Sequence, residues 1–266
     1  MMRWLVLILA LCFAPAAQAE DYVSSGPRVE AIEKDWGQWL GPWRAKVTAK
    51  MLEDFAEQYR YADQNAALPA PVAGETRVVF IGDSITDRWE LSRFFPGKSY
   101  INRGIGGQVT PQMVVRFQAD VIALKPAVVV ILGGVNDIHG VLQVETDAQI
   151  VANYKAMADM AVANGIRPVF TLITPVNNYT PNAATMLEDR NPGRVAWLNA
   201  WLSGFCQTHG YGLIDYGPLL RDDKGLLKAE YTSDGIHPND EAYAIMAPVA
   251  EQAIEAALKQ ARLEPF

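Results

Sequence analysis

The sequence predicts an α/β protein built on a parallel sheet, and three observations carry that expectation. Short, largely apolar runs occur at 78–81 (ending in Gly82), 99–101, 127–132, 168–173 and 212–215. Runs of that kind suit strands buried on both faces, where a half-exposed strand would alternate. Helical patterns separate them. One runs from Thr146 or Asp147 as N-cap through Ile150, Tyr154, Met157 and Ala161 to a stop at Asn164-Gly165. Another opens at Asn191-Pro192, where proline suits the first helical position. The last covers about 239–262, with a kink expected at Pro248. Half of the 266 residues are hydrophobic, which supplies the apolar groups for a packed core. Strands alternating with helices imply a sheet covered on both faces, with function in the loops at the strands' carboxyl ends.

The two ends of the chain read differently from this middle. Arg3, the apolar stretch 4–14 and Ala17-Gln18-Ala19 have the layout of a secretory signal peptide cut after Ala19. The stretch is too short for a permanent membrane span. Leu11 before Cys12 stands where a lipoprotein signal wants a small residue. The expected location is therefore secreted or periplasmic. Cys206 is the lone cysteine after that cut, on the apolar side of a helix with Val195, Leu198, Leu202 and Phe205, which favours burial. The formal charge of −7 provides no basic field for nucleic acid or an anionic membrane.

Residues 20–74 read as a helical extension and linker ahead of a domain at 75–266. Trp36, Trp39, Leu40, Trp43, Val47, Met51, Leu52 and Phe55 recur at helical spacing within 28–67. Gly41-Pro42 predicts two helices or a kinked one, and the proline- and alanine-rich 68–74 reads as a linker. Aromatic rings at helical spacing pack the extension on the main domain; a carbohydrate-stacking surface is the second reading.

Four short motifs sit at the ends of the apolar runs. The first run ends in Gly82-Asp83-Ser84-Ile85-Thr86, before a helix expected from Asp87, so Ser84 lies at a helix N-terminus. There the dipole stabilises an alkoxide or a nearby oxyanion, although serine also serves as a plain cap. The second run leads to Asn102-Arg103-Gly104-Ile105-Gly106-Gly107, a turn able to present a bare N–H. The third ends in Gly133-Gly134-Val135-Asn136-Asp137, where Asn136 offers an amide donor. Late in the chain comes Ser233-Asp234-Gly235-Ile236-His237-Pro238, one of three histidines placed three residues after an aspartate. In a loop that spacing lets the carboxylate orient one ring nitrogen while the other faces a hydroxyl.

Together these motifs supply each role that acyl transfer needs, and the chain resembles the SGNH (GDSL-like) hydrolase family over about 77–258. The resemblance implies a flavodoxin-like three-layer α/β/α sandwich with a central parallel sheet of about five strands. It assigns Ser84 as nucleophile, His237 as base, Asp234 as its partner, and Ser84, Gly107 and Asn136 as oxyanion donors. Ile85 departs from the leucine of the name-giving motif, and Gly104 and Gly106 stand close enough to Gly107 that register alone selects it. The G-x-S-x-G elbow of another hydrolase architecture is absent, and the Gly104 turn does not complete G-x-G-x-x-G.

The function expected is hydrolysis of short-acyl esters, acetyl groups on carbohydrate among them, with no metal and no other cofactor. The alternatives are acyl transfer to a sugar by the same triad, a lysophospholipase or thioesterase, and a non-catalytic glycan-binding protein. The long segment 174–194 is expected to overhang the site, with Asn177, Asn178 and Tyr179 as substrate contacts alongside Asp83 and His139. The expected partner is a small ester or glycan ester, with neither nucleic acid nor stable membrane insertion.

Overall fold

The computed structural model describes residues 37–142 and 145–260. The leader at 1–19, the helix start expected near residue 28 and Trp36 lie outside the described residues, as does the Trp39 side chain.

Five strands, β1 (Val78–Gly82), β2 (Tyr100–Gly104), β3 (Val128–Leu132), β4 (Arg167–Thr171) and β5 (Gly212–Ile214), form one sheet in the order β2-β1-β3-β4-β5. Each neighbouring pair is parallel, with Val78 opposite Tyr100 on one side and Val128 on the other. The pleat sends alternate side chains to opposite faces, so one set of strands builds two cores. Val79, Ile81, Val129, Ile131 and Phe170 pack with Met113, Phe117, Ile150, Tyr154 and Leu202. Val78, Phe80, Val128, Val130 and Ile214 pack on the other face with Trp89, Phe95, Tyr243, Met246 and Ile254. The result is a flavodoxin-like three-layer sandwich. Its strand order reverses between β1 and β3, the place where such sheets open a crevice at their carboxyl ends.

Six longer helices complete the frame: α1 (Gly37–Glu53), α2 (Tyr59–Ala67), α3 (Thr110–Asp120), α4 (Asp147–Ala163), α5 (Pro192–His209) and α6 (Asp240–Lys259). Helix α4 starts on a capping box, Thr146 with Gln149, and Asn191 caps α5 by accepting the Arg194 N–H at 3.1 Å. Pro248 lies inside α6, which continues as one helix. Cys206 is buried in α5.

The extension departs from the sequence reading in where it breaks. Pro42 lies inside α1, and the chain turns instead at 54–58, where Glu57 takes φ +54°. This turn has its own cap: the Asp54 carboxylate accepts the Tyr59 N–H at 3.0 Å. Leu52 is exposed and does not pack on the domain. Polar bonds do much of the fastening. Gln108 Nε2 donates to the Ala56 carbonyl at 2.8 Å, Gln112 Nε2 to that of Phe55 at 2.6 Å, and the Tyr61 hydroxyl to that of Gly104. Two of these bonds land on or beside the glycine turn after β2 and the third on the first turn of α3.

Candidate active site

The site is assembled at the carboxyl ends of β1, β2 and β3. After β1 the chain makes one helical turn, Ser84–Asp87, which starts at Ser84 and ends at the residue where the sequence reading began a helix. Asp83 caps this turn, its Oδ1 accepting the Ile85 N–H at 2.9 Å. Asp83 is fully buried, and burial pushes its carboxyl up to about 7. It supports the turn from beneath and does not line the pocket.

Buried Arg116 ties the neighbouring pieces together. Its guanidinium donates to the Gly82 carbonyl at the end of β1, the Arg103 carbonyl in β2, Gln108 Oε1 in the glycine turn, and the Asp120 carboxylate. A charge-assisted set of this kind holds three strand-end segments in one register. Asp137 fixes the turn after β3 by accepting both the N–H and the hydroxyl of Thr110. That places Asn136, whose Nδ2 donates to the Gln108 carbonyl at 3.0 Å.

The fourth piece arrives 150 residues after Ser84. Thr232 Oγ1 accepts the Gly235 N–H at 3.0 Å and closes a tight turn over 232–235. Gly235 takes φ +86°, and a Cβ there would lie 2.4 Å from the Asn177 carbonyl, so this turn requires glycine. Asp234 Oδ1 accepts the main-chain N–H groups of Ile236 (3.2 Å) and His237 (2.9 Å), and Oδ2 lies 2.6 Å from His237 Nδ1. His237 Nε2 lies 2.9 Å from Ser84 Oγ. The carboxylate bond at Nδ1 selects the tautomer in which Nε2 accepts, so the imidazole is aimed at the hydroxyl proton.

Electrostatics favour that arrangement. Partial burial pushes the Asp234 carboxyl up, but bonds from the His237 N–H and ring outweigh it and hold the group at about 2. Burial lowers the His237 pKa below the ordinary histidine value, Asp234 opposes this, and Arg88 and Arg190 add to it. The ring is therefore neutral and able to accept a proton at neutral pH.

A cavity of about 250 Å³ opens beside this pair. Its polar edge carries Ser84, Gly107, Asn136 and His237, and its apolar walls are Trp43, Val141 and Ile236. Gly107 takes φ +80°, and a Cβ there would lie 2.8 Å from the Trp43 ring, so α1 closes directly over the glycine turn. The Gly106 N–H donates to Asp87 Oδ2 at 3.1 Å and is spent, whereas the N–H groups of Ser84 and Gly107 have no partner among the described residues. Three donors thus remain around Ser84 Oγ: these two N–H groups and the second N–H of Asn136.

The other residues read from the sequence as substrate contacts lie elsewhere. Asn177 is buried; its N–H donates to the Gly235 carbonyl at 2.8 Å and its Nδ2 to the Leu227 carbonyl at 2.8 Å. It braces the Asp234–His237 turn, and a loop that runs inward must satisfy its own backbone in this way. Tyr179 donates its hydroxyl to Asp222, and Asn178 is exposed. His139 is buried, with Nε2 3.9 Å from Asp189 Oδ2. None of the four lines the cavity. Trp43, Arg88, Arg190, Val141 and Ile236 do, and the sequence reading did not select them for the site.

A hydroxyl, an imidazole and a carboxylate in a chain, beside open N–H donors at the reversal point of a parallel sheet, form the arrangement that serine acyl-transfer chemistry uses. The chain belongs to the GDSL-like lipase/acylhydrolase family, whose model matches residues 80–245. Solved structures agree. A Bacteroides fragilis protein described as an acylhydrolase is 38% identical, covers 77% of this chain and 99% of its own, and superposes with a TM-score of 0.71. A GDSL-like lipase from Bacteroides thetaiotaomicron is 36% identical over 77% of this chain and 100% of its own, also at 0.71. An acetyl xylan esterase from Geobacillus stearothermophilus shares the fold at 20% identity and a TM-score of 0.54, over 68% and 94% of the two chains. No match is found among curated proteins. Among the described residues no group of three metal-ligating side chains occurs, and no helix is long and apolar enough to cross a membrane.

Proposed function

We propose that this protein is a secreted carboxylic-ester hydrolase that removes short acyl groups, using Ser84 as nucleophile, His237 as general base and Asp234 as its orienting partner. The observation that carries the reading is the unbroken chain from Asp234 Oδ2 through both ring nitrogens of His237 to Ser84 Oγ, with contacts of 2.6 and 2.9 Å.

In the forward step His237 Nε2 takes the Ser84 proton as Oγ attacks the ester carbonyl carbon. The carbonyl electrons move to oxygen, and the N–H groups of Ser84 and Gly107 and the Asn136 amide receive that charge. His237 then returns the proton to the departing alkoxide, leaving an acyl-serine. Water, activated by the same imidazole, attacks the acyl-serine; the carboxylic acid leaves and Ser84 is restored. Replacing Asn136 by Ala removes one donor, and kcat is expected to fall by about 10²–10³-fold with KM little changed. Steady-state kinetics on one ester checks this. A KM rise with kcat intact would assign Asn136 to ground-state binding.

Small acyl groups suit the cavity beside Ser84, whose volume is about 250 Å³ and one wall of which is Trp43. Acetyl groups on carbohydrate fall within this class. Hydrolysis of p-nitrophenyl esters from acetate to laurate tests the preference. The rate constant kcat/KM is expected to be highest for acetate or butyrate and to fall steeply beyond; a maximum at laurate would overturn the short-acyl reading.

A further inference from the structure

The cavity beside Ser84 has a charge opposite to that of the protein. The chain as a whole carries −7, yet the lining holds two arginines, Arg88 and Arg190, and no carboxylate. Arg88 is half exposed, with Nη1 3.8 Å from Asp234 Oδ2. Arg190 is different. It is 6% exposed, and among the described residues no carboxylate lies within ion-pairing distance of it. Among the described residues the guanidinium's one hydrogen bond runs from Nη1 to the Met186 thioether sulfur at 3.0 Å, a weak acceptor, and Nε is buried with no partner there.

Arg116 shows how this protein treats a buried guanidinium that serves structure alone. All three of its nitrogens are engaged, with two carbonyls, one amide oxygen and the Asp120 carboxylate. The carboxylates of Asp189, Asp83 and Asp234 attract the Arg190 guanidinium without a close ion pair among the described residues, so a buried cation left open on a cavity wall is suited to an anion that enters the cavity. Burial lowers the Arg190 pKa to about 10, which leaves it cationic at neutral pH. Arg190 also lines a second cavity of about 450 Å³ bounded by Leu187, Val195 and Leu226, so the two cavities share this residue.

We propose that the site selects esters whose molecule carries a carboxylate, received by the guanidinium of Arg190 with Arg88 adding to the positive field. This rests on the hydrolase reading above and names its substrate class. The planar fork of Arg190 matches a carboxylate in two-point contact, which fixes the substrate's orientation as well as its charge. Arg190 is a specificity-determining residue here, distinct from the groups that perform the chemistry.

Matched ester pairs test the proposal: 4-acetoxybenzoate against its methyl ester places the charge on the alcohol side, and mono-4-nitrophenyl glutarate against 4-nitrophenyl pentanoate places it on the acyl side. The wild type is expected to favour the anionic member of at least one pair by about tenfold or more in kcat/KM. In Arg190→Gln that ratio falls to near one, chiefly through KM, and Arg190→Lys recovers part of it. The ratio is read within each protein, so a general loss of activity cancels. Ratios near one for both pairs in the wild type, or a ratio unchanged in Arg190→Gln, would overturn the proposal. Should neither member of any pair be hydrolysed, the hydrolase reading fails separately. Thermal unfolding with glutarate then decides: a rise in Tm for the wild type that Arg190→Gln lacks supports the anion site, and equal behaviour overturns it.

Discussion

Replacing Ser84 by Ala is expected to lower kcat on short esters by at least about 10⁴-fold. Among the described residues the hydroxyl's one hydrogen-bond partner is His237 Nε2 at 2.9 Å. The turn that carries it is held by other atoms: Asp83 Oδ1 on the Ile85 N–H, the Arg88 N–H on the Ser84 carbonyl, and the Tyr243 hydroxyl on the Ile85 carbonyl. The cavity walls are untouched by the change, so stability is expected to move by no more than about 0.5 kcal/mol and KM only modestly. Loss of turnover in a protein that melts like the wild type would therefore report chemistry. Equal turnover in both proteins would remove Ser84 from the mechanism.

Asp234→Asn is expected to lower kcat by about 10⁴-fold at neutral pH, for a reason of proton placement. The carboxylate accepts from His237 Nδ1 through Oδ2 and from two main-chain N–H groups through Oδ1. An amide keeps one acceptor oxygen, which the two N–H groups hold. Its NH₂ then faces Nδ1 and selects the tautomer whose proton sits on Nε2, so Ser84 meets a donor where it needs an acceptor. The pH profile gives an independent sign. The neutral ring is the active form, and burial holds its pKa below the ordinary value of about 6.5, so the wild-type rate rises with pH and levels off before neutrality. Asp234 acts against that lowering, so in Asp234→Asn the acid limb moves to still lower pH while the plateau drops. An acid limb displaced upward would contradict this electrostatic account. The low pKa of Asp234 also contributes stability at neutral pH, lost as the pH falls from about 4 to about 2.

Much of the fold was legible because the sheet is buried on both faces. The five apolar runs fall on the five strands with ends within three residues, since a doubly covered strand keeps most of its hydrophobicity. The motifs carrying Ser84, Gly107, Asn136, Asp234 and His237 were legible as a set, because each stands just after a strand or in a tight glycine turn that its neighbours in sequence define. What pattern could not supply was contact across the fold. Arg190 and Trp43 reach the cavity from an irregular segment and from the extension, with no local motif to mark either; the signal available for Arg190 was a charged residue within 174–194, the segment expected to overhang the site. The same segment misled in the other direction. Asn177 and Tyr179 are polar and sit in the expected loop, but they turn to Gly235, Leu227 and Asp222, because a compact loop spends its polar groups on its own backbone and neighbours. Pro42 was read as a break, while the turn that does occur at 54–58 rests on an aspartate cap with no proline or glycine to announce it.

Covalent labelling is the most direct measurement of the central claim. Wild-type protein, His237→Ala and Ser84→Ala are incubated with diisopropyl fluorophosphate, and the modified peptide is mapped by mass spectrometry. The account predicts one label per chain on Ser84 in the wild type, formed far more slowly in His237→Ala and absent from Ser84→Ala. A label on another residue in the wild type, or labelling of Ser84 at the same rate without His237, would contradict it.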